Sequence, residues 1–312
     1  MDPLSDVLSL LKPRSYVSGG FLIGDASIQW PAHAGIKCYA VVSGECWLSV
    51  EGVAEPVLLT AGDCYLLPPG PPFRLATDLS ATPIDFQTFR LTRKSGGEVP
   101  AKGGKNCYLV GGHFGLTGSH ADFLLNSLAP IVHIRKESDK AAMRWSLERM
   151  KEELADPQPG SALIAQQLAY MMLVQALRLH LADQDKDGVG WLFALADKRM
   201  GAAIRCMHDD PAHRWTLQKL AVQVGMSRSI FALRFKQMVG ETPMEYLTRW
   251  RMLLAGDRLR NSGESTSAIA LALGYESESA FGKAFKRVMA CTPREHRRAG
   301  TPTGILAANA GN

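Results

Sequence analysis

The feature that most constrains how this chain can fold is a sequence pattern that occurs twice near its carboxyl end. The first copy contains, in order, Leu220-Ala221, Gly225, Phe231, Phe235 and Thr242-Pro243. The second copy contains, in the same order, Ile269-Ala270, Gly274, Phe281, Phe285 and Thr292-Pro293. The copies align at a spacing of 49 residues up to the glycine and 50 residues after it. One residue inserted in the second turn accounts for this change, because a turn accepts an extra residue without disturbing the helices beside it.

Each copy has the order of a helix-turn-helix unit: a short helix with one apolar face, a turn with glycine, and a second helix that a serine can cap. We predict these units at residues 216–237 and 265–287. Phenylalanines four residues apart should face inward in each second helix. The outward positions of the two second helices are then Arg228, Ser229, Ala232, Leu233, Lys236, Ser279, Gly282, Lys283, Lys286 and Arg287. An all-helical interaction module is the alternative interpretation of such a repeat.

Charge favours a polyanion as the partner of this part of the chain. Residues 197–300 hold 18 Lys and Arg against 10 Asp and Glu, a net charge of +8, whereas the remainder holds 17 against 20, a net charge of −3. Between the copies, the sequence Thr242-Pro243-Met244-Glu245 predicts a capped helix that continues to about Asn261. A helix of that length spans roughly one turn of DNA and can hold two recognition helices in successive major grooves. We therefore expect double-stranded DNA with an asymmetric site as the partner.

These motifs resemble the double helix-turn-helix domain of the AraC/XylS family of transcriptional regulators. The resemblance covers residues 197–299 and is most specific at Gly274-Tyr275-Glu276-Ser277 with the phenylalanines that follow. It implies that the residues meeting bases are Ser229, Ala232 and Leu233 in the first unit and Ser279, Gly282 and Lys283 in the second. It also implies a sequence-specific regulator with RNA polymerase as a further partner.

The chain departs from the family pattern at three positions. Ala290 stands where a glycine usually ends a helix in left-handed geometry, which is expected to cost about 1 kcal/mol of local stability. His296 stands where tyrosine is usual, and Leu233 stands where many members carry arginine. We expect Leu233 to make an apolar contact, for example with a thymine methyl group, in place of an arginine contact with guanine.

The amino-terminal part is predicted to be a small barrel or sandwich, because short β-type runs separated by glycines extend from Tyr16 to about Phe89. A short apolar helix precedes these runs and must pack on another element. Gly62 followed by Pro68-Pro69-Gly70 matches the second motif of cupins. Residues 2 to about 180 resemble the cupin-type sensor domain found in one branch of the same family.

The predicted fold class is therefore α+β with two domains. A cupin-like β-barrel with a helical hairpin occupies residues 1–182, and a linker occupies residues 183–196. The all-α double helix-turn-helix domain occupies residues 197–300, and a disordered tail occupies residues 301–312. A Gly- and Lys-rich stretch from Lys94 to Lys105 is expected to be a mobile loop.

Metal chemistry is not expected in the barrel. Phe73 stands where a metal cupin has a histidine, and Lys37 stands where it has a carboxylate ligand. We predict no metal, no cofactor and no catalytic residue, and His33 and His113 are expected to be hydrogen-bonding groups. Six cysteines without CxxC spacing indicate neither a zinc site nor a disulfide framework. A cupin-fold enzyme carrying a DNA-binding anchor and a structural DNA-bridging protein are the alternative functions.

A small, largely apolar effector is the ligand we expect for the barrel. Its pocket is predicted to be lined by Tyr39, Trp47, Tyr65, Phe73 and His113, although the aromatic side chains could instead fill the core. Two helices, Ala142 to Leu154 and Ala162 to Leu181, should form a hairpin whose excess apolar surface either docks on the barrel or forms a homodimer seam. The sequence shows no leader and no long uninterrupted apolar run, so we expect no membrane association and a cytoplasmic protein.

Overall fold

The computed structural model describes residues 2–12, 14–92, 106–115, 128–182 and 189–300 of the 312-residue chain. It contains two compact units. The barrel unit is Lys12–Lys186, and the helical unit combines Met1–Leu11 with Asp187–Asn312. The predicted fold class, a cupin-like β domain and an all-helical carboxyl-terminal domain, is confirmed. The expected loop at Lys94 to Lys105, linker residues 183–188 and the tail at 301–312 lie outside the described residues.

The elements are named in chain order. The described strands are β1 Arg14–Ile23, β2 Ser27–Trp30, β3 Ile36–Ser43, β4 Glu45–Val50, β5 Val57–Thr60, β6 Cys64–Leu67, β7 Phe73–Ala76, β8 Pro83–Asp85, β9 Cys107–Gly115 and β10 Val132–Ile134. The described helices are α1 Pro3–Leu11, α2 Phe86–Thr92, α3 Glu137–Ala155, α4 Ser161–Ala182, α5 Trp191–Ala194, α6 Lys198–Asp209, α7 Leu217–Gln223, α8 Arg228–Val239, α9 Pro243–Asn261, α10 Thr266–Ala272, α11 Glu278–Met289 and α12 Pro293–Gly300.

Two five-stranded sheets form the barrel unit, with strand orders β1-β9-β3-β6-β10 and β5-β4-β7-β2-β8. Side chains alternate between the two faces of each strand, so every second residue points between the sheets. The buried core between them includes Ile23, Ile28, Trp30, Val41, Leu48, Tyr65, Phe73, Leu75 and Leu109. Where β9 pairs with β3, a Cβ on Gly111 would lie 2.1 Å from the carbonyl oxygen of Cys38. Only glycine therefore lets the two strands approach so closely at this position.

The helices α3 and α4 form the predicted hairpin, and α4 packs on β1, β3, β6 and β9. By length and composition α4 is apolar enough to cross a membrane. Its buried residues include Leu168, Leu173, Ala176 and Leu177, which is the inner face expected of a core helix packed on a sheet. Docking on the barrel therefore accounts for much of the apolar surface of this helix.

A buried ionic cluster joins α3 to the turn before β6. The Asp63 carboxylate lies 2.9 Å from Lys140 Nζ and 3.2 Å from His133 Nε2, and it accepts a hydrogen bond from the Thr60 amide at 2.8 Å. Burial by itself raises the pKa of Asp63, but the bonds from Lys140, Thr60 and His133 outweigh it and hold the pKa below its usual value. The carboxylate therefore stays charged where it anchors the helix.

The first helix, α1, packs in the helical unit. From its sequence it was instead assigned to the cupin-like domain, at residues 1–182. Its apolar face, formed by Leu4, Val7, Leu8 and Leu11, is buried, and the helix contacts α6 and α9. A short amphipathic helix takes its stability from the surface it packs on, and the sequence of α1 does not specify which surface that is. The structure supplies this partner from 202 residues further along the chain, where His208 contacts Asp6.

A buried histidine links α1 to the helices beneath it. His208 Nδ1 lies 3.3 Å from the Asp6 carboxylate, and His208 Nε2 lies 2.8 Å from the Tyr246 hydroxyl. Its ring stacks on Trp250 with centroids 3.8 Å apart. Burial lowers the pKa of His208 to about 3, so the ring is neutral. Nδ1–H therefore donates to Asp6, and the Tyr246 hydroxyl donates to Nε2.

Candidate DNA interface

The first helix-turn-helix unit consists of α7 and α8. The Thr216 hydroxyl accepts a hydrogen bond from the Lys219 amide at 3.2 Å, and the Ser227 hydroxyl accepts one from the Ile230 amide at 3.4 Å. These bonds satisfy amides that a helix start leaves unpaired. Phe231 and Phe235 are fully buried, so α8 presents its opposite face to solvent.

The second unit, α10 and α11, repeats this construction. The Ser265 hydroxyl accepts from the Ala268 amide at 3.1 Å, and the Ser277 hydroxyl accepts from the Ala280 amide at 3.2 Å. The turn residue Gly274 has a φ of +80°, and a Cβ there would lie 2.4 Å from the Ala212 carbonyl oxygen. Backbone conformation and close approach both require glycine at this turn.

The connecting helix α9 opens with a capping box, in which Thr242 and Glu245 each bond to the backbone amide of the other. Its 19 residues span about 28 Å, which is close to one turn of DNA. Tyr246 meets Phe235 edge to face at 5.8 Å, and His296, which lies 50 residues later, meets Phe285 in the same manner at 5.4 Å. Histidine at position 296, where the resemblance implies tyrosine, thus preserves the ring contact that closes each unit.

The predicted DNA-binding residues form two accessible faces. Those that are exposed are Arg228, Ser229, Leu233, Lys236, Ser279, Lys283, Lys286 and Arg287, and those that are half-buried are Ala232 and Gly282. Leu233 leaves 61% of its surface exposed, so its side chain is accessible to a partner. The helix faces therefore satisfy the steric requirement for groove contact.

The basic residues of these faces differ in their ion pairing from some arginines elsewhere in the helical unit. Within the described part of the chain, none of the five basic residues on the two faces forms an ion pair. In contrast, Arg234 bonds to Asp197 at 2.6 Å, and Arg258 is paired with Glu264. Basic side chains without an internal partner can neutralise phosphates, whereas paired arginines support the fold.

The structure also adds residues that the sequence analysis did not select. Ile230 lies in the first turn of α8 and is 59% exposed, and Glu278 begins α11 at the position equivalent to Arg228. A carboxylate can accept a hydrogen bond from the amino group of cytosine, which the side chain of a basic residue cannot do. The spacing of 50 residues already pairs Arg228 with Glu278 and would have shown that the two recognition helices differ in charge.

Ala290 ends α11 with a φ of +58°, the left-handed conformation that Gly240 adopts at the end of α8 with a φ of +89°. We expect Ala290→Gly to raise the free energy of unfolding by about 1 kcal/mol, because glycine has no Cβ to strain this geometry. Denaturant unfolding of the full chain measures the change. Gly240→Ala is the matched reverse control and should lower the stability by a similar amount. Equal stabilities of Ala290→Gly and the natural chain would contradict the assigned strain.

The predicted effector residues fall into two groups in the barrel unit. Tyr39, Tyr65 and Phe73 belong to or pack against the core between the sheets, and His113 lies half-buried on β9. Trp47 does not share this interior, which corrects its predicted placement. Its neighbours Cys46 and Leu48 are the inward residues of β4, so alternation directs Trp47 to the outer face.

The residues at the position where a metal cupin binds its metal are not suited to hold a metal ion. Lys37 Nζ lies 5.5 Å from the centroid of the Phe73 ring, and the rings of His33 and His113 are 6.5 Å apart. An ammonium group repels a cation, and a phenyl ring offers no ligand atom. Among the described residues, no group of three or more His, Cys, Asp or Glu is arranged to hold a metal ion.

Comparison with known proteins gives matches to both units. Residues 2–182 match a family described as “Cupin”, and residues 220–299 match one described as “Helix-turn-helix domain”. A putative AraC-like transcription regulator of Streptomyces lividans is 41% identical over 300 residues, 96% of this chain and 98% of its own length. The HTH-type transcriptional regulator AlkR of Acinetobacter baylyi is 35% identical over 188 residues, 58% of this chain and 61% of its own. The RCS-specific HTH-type transcriptional activator RclR of Escherichia coli is 28% identical over 305 residues, 95% of this chain and 97% of its own.

Proposed function

Because this chain belongs to the AraC family of transcriptional regulators and carries an amino-terminal cupin domain, we propose that a small molecule bound in that domain controls its sequence-specific DNA binding. The observation that carries the DNA-binding part is the pair of exposed faces on α8 and α11, whose basic residues have no internal ion pair in the described chain. We expect the protein to act in the cytoplasm and to contact RNA polymerase where it activates a promoter.

The residues of the barrel support the alternative function, a cupin-fold enzyme with a DNA-binding anchor, less well than they support a regulator. Lys37 and Phe73 occupy two ligand positions of the cupin metal site, and neither side chain suits that role. The relatives described above are named as transcriptional regulators. We therefore assign the barrel a binding role in regulation and propose no catalytic residue.

Selection from random DNA duplexes with the full chain tests the proposed recognition. We expect an asymmetric site with two recognised blocks whose centres lie roughly 10 base pairs apart, because α9 holds the two recognition helices about one helical turn from each other. The blocks should differ in sequence, since Arg228 and Glu278 give the two helices different charge. Equal recovery of all sequences would contradict a sequence-specific regulator.

We also propose that the outer face of the helical hairpin joins two copies of the chain. Ile164 and Met171 lie seven residues apart on one side of α4 and are 40% and 42% exposed. Trp145 on α3 is 63% exposed. Large apolar side chains that remain exposed on one helical hairpin favour a protein contact.

The double variant Ile164→Glu with Met171→Glu should weaken the dimer by about 100-fold or more, because each burial of such a side chain stabilises a contact by ~1.5–3 kcal/mol. Sedimentation equilibrium measures the association constant. Ala162→Glu adds one glutamate on the opposite side of α4 and should leave the dimer intact. A monomeric natural chain, or an unchanged association constant in the double variant, would contradict the proposed seam.

A further inference from the structure

A loop before the first helix-turn-helix unit contacts the turn of the second one. Residues 210–215, here called the bridging loop, lie between α6 and α7. Lys219 on α7 holds this loop to the first unit, because its Nζ donates a hydrogen bond to the Arg214 carbonyl oxygen at 3.1 Å. The Trp215 indole closes the loop on itself by donating to the Asp210 carbonyl oxygen at 2.9 Å. The bridging loop is therefore fixed to the first unit.

Arg251, on the connecting helix α9, joins the bridging loop to the second unit. Its guanidinium donates hydrogen bonds to the carbonyl oxygens of Pro211 at 2.6 Å and His213 at 2.9 Å. The same guanidinium lies 5.7 Å from the centroid of the Tyr275 ring, which follows Gly274 in the second turn. A planar guanidinium can donate to two carbonyl groups at fixed angles while it covers a ring, which an ammonium group cannot do. One half-buried side chain of α9 thus contacts both the bridging loop and the second turn.

Backbone packing at Gly274 makes the same connection. A Cβ at this position would lie 2.4 Å from the Ala212 carbonyl oxygen, so the second turn lies directly against the bridging loop. At the equivalent Gly225 of the first unit, a Cβ would meet nothing within 4 Å, although φ is also positive at +64°. Gly225 therefore needs glycine only for its backbone conformation, whereas Gly274 also needs it for contact between the two units. Arg214 and Glu276 add an exposed ion pair at 2.9 Å, which contributes little.

We propose that Arg251 is a positioning residue that fixes the angle between the two recognition helices, and thereby the spacing of the two DNA blocks that the chain accepts. This inference rests on the proposed function, because it concerns the two-block site proposed above. A connecting helix by itself sets the distance between two units but leaves their angle to the contacts at each end. A second connection removes that freedom. Rigidly linked readers bind a matched site more tightly and reject a mismatched one.

Binding to duplexes of altered spacing tests this inference. The site selected with the full chain is compared, by fluorescence anisotropy, with duplexes in which one base pair is inserted or removed between the two blocks. Each change moves one block by about 3.4 Å and turns it by about 35° around the duplex. We expect the natural chain to bind both altered duplexes about 10- to 100-fold more weakly, because one block is then out of reach.

Arg251→Met should reduce this preference for the selected spacing to about threefold or less, because loosened units lose affinity for the matched site and adapt to the altered ones. A partly unfolded protein would instead bind every duplex more weakly by one common factor and keep the preference. Arg251→Lys retains the charge and should give an intermediate preference. Arg258→Met is the matched control. It removes an arginine from the same helix, whose partner Glu264 is only six residues away, and should keep the natural preference.

Two glycine variants test the contact without changing Arg251. Gly274→Ala adds a Cβ that pushes the bridging loop away from the second turn, so the preference for the selected spacing should fall in this variant too. Gly225→Ala carries the same backbone strain without that contact and should keep the preference. Denaturant unfolding of each variant shows that the protein used for binding is folded.

The outcomes separate this inference from the proposed function. An unchanged spacing preference in folded Arg251→Met and Gly274→Ala would overturn the role of the bridging contact and leave two-block recognition standing. A natural chain that binds all three spacings equally would also overturn it, because its two units would then not be held at one angle. Failure to select any DNA sequence would contradict the proposed function itself, and the inference with it.

Discussion

The substitution Leu8→Ala is expected to lower the free energy of unfolding of the helical unit by about 2–5 kcal/mol, because it removes a side chain buried in a packed core. Leu8 leaves only 3% of its surface exposed, and α1 packs on α6 and α9. A residue at the amino terminus should therefore control the stability of helices close to the recognition elements. Denaturant unfolding gives the free energy, and hydrogen exchange locates the loss.

Exchange should become faster in α6 and α9, which carry His208 and Trp250, and stay unchanged in the strands of the barrel unit. Leu10→Ala is the matched control on the same helix, because Leu10 is only partly buried and its truncation should cost less than about 1 kcal/mol. Faster exchange in β1 and β9 together with unchanged exchange in α6 would place α1 on the barrel and contradict the described packing.

The substitution Lys283→Ala should weaken binding to the selected site by about 10- to 100-fold, or ~1–3 kcal/mol, and should relax specificity in one half of that site. Lys283 is exposed on the outer face of α11 and has no ion pair within the described residues. Lys286, one turn further along the same helix, is expected to meet phosphate. Lys286→Ala should weaken all sequences alike and reduce the slope of log affinity against log salt by about one.

Fluorescence anisotropy with the selected site and with variants in each half, at several salt concentrations, distinguishes the two roles. Arg135→Ala is the control for net charge, because Arg135 is exposed just after β10 in the barrel unit and its loss removes the same charge. Uniform loss of affinity across all sequences in both lysine variants would show that neither residue reads bases. Retained affinity in both variants would contradict the assignment of α11 as a recognition helix.

The helical unit could be predicted from its sequence because its signals are local. Ser227 and Ser277 cap helices within three residues of the amides they bind, and Gly274 sets the conformation of its own turn. The left-handed end at Ala290 agrees with the glycine that the family resemblance implies at this position. In each case the determining interaction joins residues that are near neighbours in the chain or equivalent positions in the repeat.

Only the tertiary structure shows the surroundings of residues whose partners are distant in the chain or absent from it. The apolar stripe of α1 required a neighbour, but its pairing with His208 depends on residues 202 positions later. Trp47 was aromatic in a predicted strand, but the register of β4 directed it outward. Lys37 was recognised only as a poor metal ligand, and the absence of a carboxylate partner among the described residues required the assembled barrel. Periodicity specifies which face of an element is apolar, whereas the surface that covers this face depends on long-range packing, which local sequence does not encode.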